Sequence, residues 1–163
     1  MPEKSIPLTP KLRVVSSVIL PYNHSKRDNR KFIMVEEDGV WCPPGGTFDV
    51  SKDPDITRAA TREVREETGL SVVLANFIGL YTFQSPNGNV VYNTAFSGLI
   101  ESGDFVNSAH REDITRVDAF TLEQIRDMND RKLLRSGYAN VQMIEDFVRG
   151  RVFPLEVHQY IQI

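Results

Sequence analysis

The 163-residue chain holds a single cysteine, a single tryptophan and three histidines, and its formal net charge is -3. A lone Cys42 excludes an internal disulfide framework and any thiolate metal cage, which leaves a bystander thiol as the expectation and a reactive one as the alternative. No apolar run approaches the roughly 20 residues needed to span a bilayer, and the start, MPEKSIPLTPKLRVV, lacks the basic-then-apolar pattern of a secretory signal. A cytoplasmic protein with no membrane partner is expected. The missing positive excess argues against a general electrostatic grip on long nucleic acid, so any phosphate-bearing partner must be held locally. What remains is 40% hydrophobic and 25% charged, enough to fill one core, and residues 1–163 read as one domain.

Along the chain, LRVVSSVIL (12–20) reads as a buried strand and KFIMVEE (31–37) as a second, joined by a basic, solvated loop. VWCPPGG (40–46) carries two prolines and two glycines, so it is expected to form a shaped turn, with regular structure resuming only at Asp53. There a helix should start, with Asp53 as N-cap, Pro54 at the first position and Asp55 complementing the dipole, and it should stop at Gly69. Ile56, Ala59, Ala60, Val64 and Thr68 form its inward stripe. The β-branched and aromatic content of Ser71 to Ser85 predicts one long or two consecutive strands, turning at SPNGN (85–89) into VVYNTAFSGLI. A polar loop, a strand ITRVDAF, a helix capped by Thr121 with Glu123 near the capping-box position, and a last helix from Tyr138 to Arg149 complete the chain. Trp41 should pack behind the glycine turn.

The densest charge lies in REVREETGL, Arg62 to Leu70. Residues three and four apart share a helix face, so Glu63, Glu66 and Glu67 project together and repel. Either solvent and the flanking arginines absorb that repulsion, or a hard divalent cation converts it into attraction, since Mg²⁺ binds through a few carboxylates plus substrate phosphates. A calcium loop in DVSKDPDI, with oxygens at Asp49, Ser51, Asp53 and Asp55, fails because Pro54 stands where a glycine is required and Ala60 where a bidentate glutamate is required.

PGG (44–46), followed by a loop and a helix ending in REVREETGL, resembles the Nudix box of the Nudix hydrolases. The C-terminal half, Arg-Glu-aliphatic-x-Glu-Glu-x-Gly-aliphatic, matches at every defined position. The N-terminal half departs, because Arg62 arrives two residues late after Gly46; the early glutamate has no clean counterpart, and Asp49, Asp53 and Asp55 are the candidates. The resemblance implies an α/β fold with a mixed β-sheet sandwiched between helices (α/β/α). It implies that Glu63, Glu66 and Glu67, with a carbonyl of Gly46, hold Mg²⁺, for which Mn²⁺ can substitute, and that Arg62 orients a glutamate. The reaction implied is hydrolysis of a diphosphate bond in a small phosphorylated substrate. Glu66 or Glu67 would take the proton of the attacking water, or a loop acid in HREDI, Glu112 or Asp113, would do so.

For the substrate, Phe83, Tyr92 and Phe96 are aromatic residues able to stack on a base, with Phe83 and Tyr92 taken as substrate-binding, and His110 could meet a phosphate. Pro86, sixteen residues after Leu70, resembles the marker of ADP-ribose pyrophosphatases and equally fits a Ser-Pro-Asn-Gly hairpin. Residues 133–157 are similar to the tail of a phosphatase-like Nudix subgroup acting on nucleoside tri- and diphosphates and thiamine-pathway pyrophosphates. Three readings stay open: a hydrolase of nucleoside di- or triphosphates or a related cofactor diphosphate, an ADP-ribose or nucleotide-sugar pyrophosphatase, and a binding module of the same fold without catalysis. The oligomeric state, a homodimer included, is not fixed by the sequence.

Overall fold

The computed structural model describes residues 9–22, 29–106 and 111–157. His110 and most of the basic loop lie outside the described residues. The elements run β1 (Leu12–Ile19), β2 (Lys31–Glu37), β3 (Val40–Cys42), β4 (Gly45–Thr47), α1 (Ile56–Thr68), β5 (Ser71–Gln84), β6 (Val90–Ser102), β7 (Ile114–Thr121), α2 (Leu122–Asp130), α3 (Tyr138–Val148) and β8 (Phe153–Pro154). The expected mixed sheet is present but divided in two. One sheet has the order β4-β1-β6-β5-β8 and the other the order β3-β2-β7. Only β1 and β6 run parallel in the first sheet, pairing from Leu12 with Val90 to Ile19 with Ser97, and the other ladders are antiparallel.

Helices cover both faces because the strands are apolar on both. Neighbouring residues of β1 and β2 serve opposite cores: Val18 and Ile33 meet Ile56, Ala59, Ala60 and Val64 of α1, whereas Ile19, Phe32 and Met34 meet Ile125 of α2 and Val141 and Ile144 of α3. This is the α/β/α layering. Strand β5 spans fourteen residues as one element, bending at irregular pairings after Ser71, Leu74 and Phe77, and SPNGN turns it into β6.

Three local expectations need correction. The glycine turn is not outside the sheet: Gly45, Gly46 and Thr47 pair with Ser17, Ser16 and Val15 as an edge strand. A Cβ on Gly45 would lie 2.0 Å from the Ser16 carbonyl oxygen, so only glycine lets the two backbones approach this closely. The cap of α1 is Asp55, not Asp53, accepting from the amides of Thr57 (2.8 Å) and Arg58 (3.0 Å). Asp53 lies two residues earlier, buried, with a different task. At α2 the capping box closes through Gln124 and not Glu123, since Gln124 occupies the third helical position and its side chain accepts from the Thr121 amide.

Other expectations stand. Gly69 ends α1 in the left-handed region at φ 73°, and every residue of the inward stripe is buried. Trp41 is buried edge-on against Phe120, its rings 4.8 Å apart, under the Arg116 guanidinium. Burial pushes the Cys42 thiol up to about 12, which disfavours the thiolate at neutral pH.

Candidate active site

A cleft of about 1090 Å³ opens between α1, the β4 edge, the outer ends of β5 and β6, and the segment joining α2 to α3. Helix α1 delivers its glutamates there unequally. Glu63 and Glu67 are 5% and 2% exposed, on the flank that faces Gly45 and Gly46, while Glu66 stands at the rim with its side chain 44% exposed. The sequence expectation of three equivalent carboxylates is therefore too simple. Four-residue spacing puts Glu63 and Glu67 one above the other against β4, and Glu66 rotates away toward solvent.

The close approach of β4 makes the flank polar. The Gly45 amide donates to Glu67 Oε2 at 2.9 Å. At Gly46 a Cβ would lie 2.4 Å from the Glu63 carboxyl carbon, so this backbone is pressed directly onto that carboxylate. The Glu63 carboxylate occupies the space a side chain at Gly46 would need, as the Ser16 backbone does at Gly45.

Two arginines neutralise the cluster. Arg62 is clamped by Asp53 through two bonds, Nε to Oδ1 at 2.7 Å and Nη2 to Oδ2 at 2.8 Å, and its Nη1 reaches Glu63 (2.9 Å) and Glu66 (3.0 Å). The bidentate geometry holds the Asp53 carboxyl below the usual carboxylate range. Arg111 enters from the loop before β7, tied by its amide to the Glu66 carbonyl (2.8 Å). It donates to Glu63 Oε2 at 2.7 Å and Glu67 Oε1 at 3.1 Å, and its Nε is held by Asp113 at 2.6 Å. Among the described residues no three acidic, histidine or cysteine side chains converge as metal ligands, because here the carboxylates face guanidinium groups instead of one another.

Burial nonetheless leaves Glu67 short of positive charge. Desolvation, opposed by the Gly45 amide and Arg111, pushes its carboxyl up to about 8. A buried all-oxygen pair with a glycine backbone against it has the donor chemistry of a hard divalent cation, and the residues fit one.

The remaining sequence candidates separate. Phe83 lines the cleft, as does Pro86 at the tip of its hairpin. Tyr92 does not: Val91 and Asn93 face the cleft, so alternation turns Tyr92 to the opposite side of β6, and Phe96 is fully buried in the α1 core. Glu112 and Asp113 are exposed and lie outside the cleft lining. Asp113 is held below the ordinary carboxylate range by its hydrogen bond from Arg111.

Sequence reasoning missed three residues and left a fourth undecided. Asp53 is one of three candidates for the early acid of the box and otherwise reads as a helix cap, and Arg111 is overshadowed by the acids beside it. Arg135 lines the cleft because its amide donates to the Trp41 carbonyl (2.9 Å) and its guanidinium bonds Glu37 Oε2 (3.1 Å). That docking brings Leu134, Arg135 and Ser136 to the cleft wall, a placement their sequence alone does not reveal. Asn93 is a polar residue between Val91 and Ala95 on its own face of β6, both buried, and that contrast was the available signal.

Comparison with known proteins places this geometry in a context. A family model described as NUDIX domain matches residues 12–141. A NUDIX hydrolase from Nitrosomonas europaea is similar at 27% identity and a TM-score of 0.79, covering 93% of this chain and 98% of that one. A MutT protein from Methanosarcina mazei Go1 superposes at 18% identity and a TM-score of 0.66, with 88% and 97% covered. An ADP-ribose pyrophosphatase from Streptococcus suis does so at 18% and 0.62, with 92% and 96% covered.

Proposed function

The chain belongs to the NUDIX domain family, whose members include pyrophosphohydrolases, and from that premise we propose that residues 1–163 act as one catalytic domain, a Mg²⁺-dependent hydrolase of a diphosphate bond in a small nucleoside di- or triphosphate or related cofactor diphosphate. The observation that carries this reading is the pair of buried carboxylates, Glu63 and Glu67, pressed against the Gly45–Gly46 backbone and facing a cleft lined by cations.

Glu63 and Glu67, with the Gly46 carbonyl, would hold the ion, and Mn²⁺ would substitute for Mg²⁺ there. A bound divalent ion supplies Lewis acidity toward phosphate oxygens and toward the attacking water. Everything else is done by the chain. Arg62, locked by Asp53, fixes the directions of Glu63 and Glu66. Glu66, at the solvent rim, takes the proton from the attacking water. Arg13, Lys52 and Arg135 line the cleft and neutralise charge on the substrate phosphates, and Arg111 joins them once its hold on the carboxylates is released. Asp113 is a positioning residue for Arg111.

A second reading, an ADP-ribose or nucleotide-sugar pyrophosphatase, is favoured by Pro86, which the SPNGN hairpin sets at the cleft wall beside Phe83. A Mg²⁺-dependent screen over nucleoside di- and triphosphates, ADP-ribose and thiamine diphosphate, with products resolved, separates the two. Release of nucleoside mono- or diphosphate from nucleotides supports the first, and AMP with ribose phosphate from ADP-ribose alone supports the second. Nucleotide binding without turnover on any substrate would replace both with a binding module.

A further inference from the structure

Among the described residues, three buried side-chain polar atoms have no hydrogen-bond partner: Ser16 Oγ, Asn93 Oδ1 and Arg135 Nε. All three residues line the same cleft. Buried polar groups are nearly always paired, so an orphan atom in a residue of the cavity wall marks where an absent partner belongs.

Asn93 says most about that partner. It is 4% exposed and sits near the start of β6, in register with Val15 of β1 and Tyr81 of β5. Its Nδ2 donates to Ser17 Oγ at 2.9 Å. That bond uses the donor side of the amide and leaves its oxygen as an acceptor. Besides Tyr81 and Ser17 the neighbours are apolar: Val91 shares Asn93's face two residues along the strand, Val15 is its partner on β1, and Phe83 is the partner of Val91. Val91, Val15 and Phe83 all line the cleft. The patch thus combines an aromatic ring, two branched aliphatic side chains and one uncharged acceptor.

We propose that this patch is a ring-recognition subsite. In it Asn93 Oδ1 accepts a hydrogen bond from the exocyclic amino group of a flat heteroaromatic ring seated on Phe83, so the preferred substrates carry an amino-bearing base or aminopyrimidine. An oxo group at the same ring position would set acceptor against acceptor. The terminal amide torsion of asparagine is soft, so a small rotation brings the withdrawn oxygen to a seated donor. The inference deepens the hydrolase reading and rests on it for the diphosphate portion, because glutamates and subsite share one cleft.

The test uses nucleoside monophosphates in EDTA, so that recognition is read without turnover. AMP is paired with IMP and CMP with UMP, affinities of wild type and variants are read by isothermal titration calorimetry, and in the wild type the Asn93 side-chain amide signals are also followed by NMR. The amino member of each pair should bind at least about tenfold more tightly and shift the Asn93 amide. Asn93→Leu should bring the ratio to about one, and Asn93→Asp, which keeps an acceptor and can receive the Ser17 hydroxyl, should retain it. If Asn93→Leu fails to fold, the wild-type ratio and Asn93→Asp still decide. Equal affinities, a preference for the oxo member, or an unmoved Asn93 amide would overturn the subsite. Its failure is distinguishable from that of the reaction: an amino preference without turnover on any diphosphate keeps the subsite and removes the hydrolase reading, and turnover without preference does the reverse.

Discussion

Replacing Arg111 with glutamine should tighten divalent metal binding. In the structure the Arg111 guanidinium already serves Glu63 and Glu67 as their cation, through bonds of 2.7 and 3.1 Å, and a metal ion must displace it to reach the same oxygens. Hydrogen bonds to charged groups contribute about 1.5–3 kcal/mol each. Because a third of the side chain is exposed, screening cuts the total for the pair to about 1–2 kcal/mol. Relieving that competition corresponds to roughly tenfold tighter binding. Arg62 offers no such gain, since Asp53 holds it in place whether or not metal binds. Mn²⁺ titration followed by the paramagnetic resonance of the free ion reads the affinity directly. The melting temperature of metal-free Arg111→Gln should also fall by about 2–8 °C for the same 1–2 kcal/mol, and saturating Mn²⁺ should recover most of the loss. Unchanged or weaker Mn²⁺ binding in Arg111→Gln would refute the reasoning, because Arg111 would then be support for the metal site and not its competitor.

Asp53→Asn should leave the Arg62 guanidinium without its bidentate partner and cost about 3 kcal/mol in urea unfolding. Because the Asp53 carboxyl is held below its unfolded value, its contribution is present above that value and lost as pH falls through the folded one. Glu67 has the opposite sign. Between its ordinary 4.5 and about 8 the folded chain binds this proton more tightly than the unfolded one, so the metal-free protein loses stability as pH rises across that window; Glu67→Gln should flatten the slope in a pH series of thermal melts. Gly46→Ala should abolish Mn²⁺ binding, because its Cβ would overlap the Glu63 carboxyl; normal Mn²⁺ affinity in a folded variant would remove Gly46 from the site.

The parts of the molecule that were legible in the sequence are those where one local signal decides. Periodicity marked the inward stripe of α1, Gly69 its end, SPNGN the β5–β6 hairpin, and the spacing of Glu63, Glu66 and Glu67 a shared helix region. What was not legible depends on contacts remote in sequence. Gly45 and Gly46 read as turn residues because their strand partners lie some thirty residues earlier in β1. Asp53 reads as a cap until Arg62 is seen nine residues away, and Arg111 as a loop cation until its backbone is found tied to Glu66, 45 positions upstream. Tyr92 and Phe83 are equivalent as aromatic strand residues, and only the register of β5 on β6 turns one into the cleft and the other out of it.

The most direct measurement is single-substrate turnover by wild type and Glu67→Gln on the best nucleotide from the screen, each with Mg²⁺ and with EDTA. The account predicts Mg²⁺-dependent release in the wild type, none in EDTA, and a loss of at least about a hundredfold in a Glu67→Gln variant that melts normally. Turnover that persists in EDTA, or that Glu67→Gln leaves unchanged, would contradict the assignment of the buried glutamate pair as the reaction centre.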